Sequence, residues 1–182
     1  MAEAFSNKVA RAAGIVTSMT GGAIGIQTNL ITGISTTSVA VNDLVDNSNY
    51  ILGTKVTAVG VSSVTCDRDS TNTAAATNQS VKFLGVTTAY TSTGTKSILV
   101  GGTFANNTES QVNLTVEVYD QSVGVTSTGS VAVASKIPVP NGSSFVISDA
   151  GKTLLEGLDE VRVYCDTENG VDVNLSILKG VS

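Results

Sequence analysis

A chain of 182 residues with no His, no Trp and two Cys, but 45 Ser or Thr and 26 Val, is strand-forming material with little equipment for proton transfer, metal binding or thiol chemistry. Charged residues make up 14% and the formal net charge is −5, which opposes attraction to nucleic acid or anionic lipid, while 41% hydrophobic content separates the chain from disordered ones. Neither nucleic acid nor a membrane is expected as a partner, so function is to be sought in surfaces and assembly.

Glu3, Ser6, Asn7 and Lys8 interrupt the place where a secretory signal would carry its apolar stretch. No later run reaches the roughly 20 apolar residues of a membrane helix. The expected product is a soluble one of the cytoplasm. Residues 2–16 form a small-residue arm with Phe5, Val9, Ile15 and Val16 as apolar anchors. Such an arm suits docking on a neighbour's sheet edge, and equally suits the first strand of the chain's own sandwich.

Residues 21–84 read as a separate small module. Its apolar pairs, Leu30 with Ile34, Val39 with Val41, Val56 with Val59, Val61 with Val64 and Val81 with Phe83, are bounded by turn residues. They predict four or five short strands in a small barrel or curled sheet.

Further along, Val112, Leu114, Val116 and Val118 alternate with Asn113, Thr115, Glu117 and Tyr119, the period of a half-buried strand. The same period recurs at Val131 and Val133, at Phe145 and Ile147, at Val161, Val163 and Cys165, and at Val171, Val173, Leu175 and Ile177. Turn residues at 105–108, 128–130, 140–143 and 168–170 separate these runs. An all-β, antiparallel β-sandwich of jelly-roll or Ig-like type follows. Between 148 and 158, Leu154, Leu155 and Leu158 suit one helical turn or a plain connection.

The chemical motifs are weak. Gly151, Lys152 and Thr153 match the tail of a phosphate-binding loop whose required first Gly is Val146. Asp67 and Asp69 begin a calcium loop that Thr71, Asn72 and Asn78 do not continue, so a solvated turn is expected. Glu156, Asp159, Glu160, Asp166, Glu168 and Asp172 offer carboxylates for glycoside chemistry but no aromatic sugar platform. A Ser or Thr nucleophile has no His to activate it. Cys66 and Cys165, far apart and without further ligands, read as unpaired thiols, with a disulfide as the alternative. A non-enzymatic protein with no cofactor and no metal is expected.

The opening MAEAFSNKVARAAG resembles that of small virion structural proteins of tailed bacteriophages, marine cyanophages among them. SILVGGTFANNT at 97–108, VNLTVEV at 112–118, IPVPNGSSFVI at 137–147 and VNLSIL at 173–178 resemble that group's succession of strands and turns. ITGIS at 31–35, VAVNDLV at 39–45 and GTKVTAV at 53–59 are similar to small β repeats of phage tail and fibre proteins. The resemblance implies a sandwich of residues 1–20 plus 85–182 with a small β-barrel-like module inserted at 21–84. It implies a structural component of the virion, made in the bacterial host cytoplasm, foremost an exterior capsid decoration protein. The alternatives are a neck, collar or tail structural protein, or a tail-associated host-glycan-binding module. Expected partners are copies of itself in a trimer or ring, and other phage structural proteins such as the major capsid protein or neck and tail proteins. It carries no catalytic residues over.

Overall fold

Thr- and Val-rich segments of alternating polarity suit a pleated, half-buried surface, and nearly every regular element of the computed structural model is a strand. The structure describes residues 3–94, 96–123, 129–148 and 152–181. Among them the strands are β1 (Ala4–Ala13), β2 (Ile15–Ile24), β3 (Leu30–Thr32), β4 (Leu44–Asp46), β5 (Val56–Val59), β6 (Ser63–Cys66), β7 (Ala76–Gly85) and β8 (Thr87–Thr91). There follow β9 (Lys96–Asn106), β10 (Val112–Tyr119), β11 (Ser130–Val139), β12 (Ser144–Ile147), β13 (Thr153–Leu155), β14 (Glu160–Cys165) and β15 (Val171–Val181), with a 3₁₀ turn at Gln121–Val123 after β10.

The chain divides into two compact units, Met1–Gly14 with Thr87–Ser182, and Ile15–Val86. The first boundary therefore falls at Gly14, earlier than the one expected after residue 20. Residues 15–20 open β2, which pairs with β7 from Ile15 opposite Gly85 onward. Gly14 sits at φ +126°, where a Cβ would lie 2.3 Å from the Thr167 carbonyl oxygen, so the chain can leave the first unit here only through glycine.

The first unit is a sandwich of two antiparallel sheets. One has the order β1-β15-β9-β12, with β13 also on β9, and the other has the order β11-β10-β14-β8. The pairing is nested: β1 with β15, β8 with β14, β9 with β12 and β13, β10 with β11. A long hairpin rolled up in this way is a jelly roll, which decides between the two sandwich types the sequence left open. The core lies between the sheets, with Leu99, Phe104, Leu175 and Ile177 from one meeting Leu114, Val116, Val161 and Val163 from the other. Phe145 and Ile147 pack against it from β12.

Two expectations change here. Leu154 and Leu155 belong to β13 rather than to a helical turn, because Thr153–Leu155 adds to the β9 edge opposite Leu99, Ile98 and Ser97; residues 149–151 of that segment lie outside the described residues. Val131 and Val133 are 68% and 45% exposed. Register shifts between β10 and β11 give the core-facing places to Ala134 and Val139 instead. Thr128 of the expected turn at 128–130 lies outside the described residues.

The second unit is a six-stranded sheet in the order β4-β7-β2-β3-β6-β5. Its end strands meet, since Leu44 bridges Lys55, Val56 N donates to the Asp43 carbonyl at 3.0 Å and Val45 N to the Thr54 carbonyl at 2.8 Å. The sheet thus closes into a small barrel, one strand larger than expected, around Ile24, Ile31, Val56, Val64, Val81 and Phe83. Most of the predicted apolar pairs send only one member inside: Ile34, Val39, Val56 and Val64 are buried, whereas Leu30, Val41, Val59 and Val61 are exposed.

Candidate assembly surface

In a two-sheet sandwich every second side chain points outward, and ordinary solvated sheets fill those places with charged or polar groups. A patch of the outward face of the five-stranded sheet departs from this rule. Opposed residues form rows across it, the first running Phe5, Leu178, Ile98, Leu154 from β1 through β15 and β9 to β13. A second row, Val9, Asn174, Thr103, Val146, ends on β12. Between them lie Asn7, Ser176 and Gly101. None of these eleven side chains carries a charge. Phe5 and Val9 are each 76% exposed, Val146 56% and Leu154 48%.

The sequence-predicted arm is split by the fold. Phe5 and Val9 stand on β1, an edge strand whose single ladder partner among the described residues is β15. Ile15 and Val16 instead open β2 of the barrel, paired with Gly85 and Leu84, because the chain turns out of the sandwich at Gly14. The four residues are therefore not one docking element. Ile98 and Leu178 were not singled out from sequence, and Leu154 was read only as part of a helical turn or connection. The available signal was parity, since Leu178 breaks the run of core residues Val171, Val173, Leu175 and Ile177 by one place and so must face outward.

Most of the carboxylates weighed for catalysis are engaged by the chain's own groups. Glu156 pairs with Lys96 at 3.1 Å. Asp159 accepts from Gln121 N at 3.0 Å and from Glu156 N at 2.8 Å, tying two loops together. Glu160 binds Arg162 Nε at 2.7 Å, and that guanidinium lies 3.7 Å from the Tyr119 ring centroid. Asp166 accepts from Asn113 N and Nδ2 at 2.8 and 2.7 Å, and Asp172 accepts from Ala12 N at 2.8 Å. Asp67 likewise caps Lys55 N at 2.8 Å. Thr153 of the phosphate-loop-like motif is on β13, and Gly151 lies outside the described residues.

Cys66 and Cys165 are free, buried thiols in different units. Burial pushes Cys66 up to about 12, with a hydrogen bond to Tyr50 acting the other way, and burial raises Cys165 as well. Neither is suited to thiolate chemistry. In the barrel, a shallow groove of about 270 Å³ is lined by Ala23, Ile24, Leu30, Thr32 and their neighbours, with no aromatic ring and no charged group among its lining residues.

No helix among the described residues is long and apolar enough to cross a membrane. Set against known protein families, curated proteins and solved structures, the chain matches none of them.

Proposed function

We propose that this chain is a structural subunit that works by repetition, and that its place is the exterior of a tailed-phage particle, foremost as a capsid decoration protein. The observation that carries the reading is the uncharged patch on the outward face of the five-stranded sheet, with Phe5, Val9, Val146 and Leu154 open to solvent. Loss of charge from a contact core is the compositional mark of an interface, and charged side chains are what an unpartnered sheet face ordinarily shows. The jelly roll supports it by analogy alone, since that fold recurs in capsid proteins and in lectins. The phage assignment draws on the sequence resemblance; the face supplies the mode of action.

Two measurements test it. Antibody against the recombinant chain, used with immunogold on intact particles of a phage that encodes it, is expected to label the head densely. Label confined to neck or tail moves the subunit to the connector, and no label on particles removes the exterior-virion reading. Sedimentation of Phe5→Asp and Val146→Asp variants is expected to show weakened self-association with an unchanged circular dichroism spectrum.

A further inference from the structure

We infer that two copies of this chain join through their β1 strands, antiparallel about a twofold axis at Asn7, so that two five-stranded sheets run on as one. The inference rests on the self-assembly reading and names its edge, its partner and its register. Strand β1 has β15 on one side and no ladder partner on the other among the described residues, which leaves a row of backbone donors and acceptors available for pairing.

The occupant follows from the strand's own sequence. With Asn7 opposite itself, Phe5 lies opposite Val9 of the partner subunit and Glu3 opposite Arg11 of the partner subunit. Glu3, Phe5, Asn7, Val9 and Arg11 are all exposed. Phe5, Asn7 and Val9 pair with outward-facing residues of β15 and so share one face. The uncharged rows of the two sheets then continue across the junction, and each subunit's acid meets the other's base twice per dimer, as a twofold contact requires.

Charge selects against one neighbouring register and parity against another. Lys8 falls opposite Ser6 of the partner subunit here, whereas a two-residue slip toward the C-terminus sets it against Lys8 of the partner subunit. A one-residue slip sends Phe5 and Val9 to opposite faces of the joined sheet.

Because both native thiols are buried, a single surface cysteine reports the contact. Asn7→Cys in the full chain, treated with oxidised glutathione, is expected to give a covalent dimer. Ala4→Cys, whose predicted neighbour is Ala10, is expected to stay uncrosslinked. Glu3→Arg should weaken dimerisation about tenfold by placing like charges opposite each other, and Glu3→Arg combined with Arg11→Glu should restore it. Association without the Asn7 crosslink and without rescue overturns this edge and register while leaving the assembly reading in place. A chain that sediments as a monomer at every concentration overturns both.

Discussion

At the scale of single residues, burial decides the chemistry. The Tyr50 hydroxyl donates to the Thr28 carbonyl at 3.2 Å inside the barrel and neighbours Cys66, whose thiol keeps its proton far above neutral pH. Both cysteines are therefore expected to be inert to a disulfide reagent at about pH 8 in the folded protein and to react at once in denaturant, which thiol titration reads directly. Asp43 behaves differently. Its Oδ2 accepts from Ala40 N at 2.8 Å, a smaller and opposite effect to the burial that raises its pKa above the ordinary 3.8. Since the folded carboxyl holds its proton to higher pH than the unfolded one, its contribution is present below 3.8 and is lost as pH rises through the folded value. Asp43→Asn keeps an acceptor for Ala40 N and removes the charge. Its melting temperature relative to the parent chain is accordingly expected to rise between about pH 3.5 and pH 7, and calorimetry across that range checks it. Asn106 shows the reverse economy, a buried amide with every group used: Nδ2 donates to Ser110 O and Val139 O at 2.8 and 2.9 Å, and Oδ1 accepts from Thr108 N at 2.8 Å.

Among elements, parity is what the sequence makes legible. Val112, Leu114 and Val116, then Val161, Val163 and Cys165, then Val171, Val173, Leu175 and Ile177 all face the core, as alternation requires. Strands with bulges or adjacent glycines are not legible in this way. β11 slips register twice against β10, so its inward residues do not follow from Val131 and Val133. β2 contains Gly21 and Gly22 next to a register shift, which hides a ten-residue strand and with it the true boundary of the barrel. Gly14 marks that boundary by steric necessity. Gly14→Ala puts a Cβ 2.3 Å from the Thr167 carbonyl oxygen at a φ of +126°, and is expected to destabilise the sandwich by about 3 kcal/mol in urea unfolding.

For the whole molecule, an all-β chain with a separate small module could be read from composition and period, whereas the nested pairing could not. Which strands pair depends on partners far apart in sequence, such as Phe5 with Leu178, and no local pattern records that choice. The proposed assembly face was half legible for the same reason: Phe5 and Val9 stand out on their own strand, but Ile98 and Leu154 become neighbours only once β9 and β13 are paired. The barrel has its own core and a ladder that closes on itself. Residues 15–86 made alone are thus expected to unfold cooperatively by heat, and Phe83→Ala to lower their stability by about 3–5 kcal/mol.

The pairing of Ile15 with Gly85 has a further consequence. The chain goes out and comes back on adjacent antiparallel strands, so the gap to be bridged at this corner of the jelly roll is only about 5 Å. Closing so short a span demands almost nothing of whatever fills it. A two-residue turn would serve, and so would a foreign domain whose own ends lie side by side. The corner between β1 and β8 is in effect a socket, in which a lineage can exchange cargo, or a protein engineer can mount an antigen or an enzyme, while the sandwich's strand pairings stay as they are.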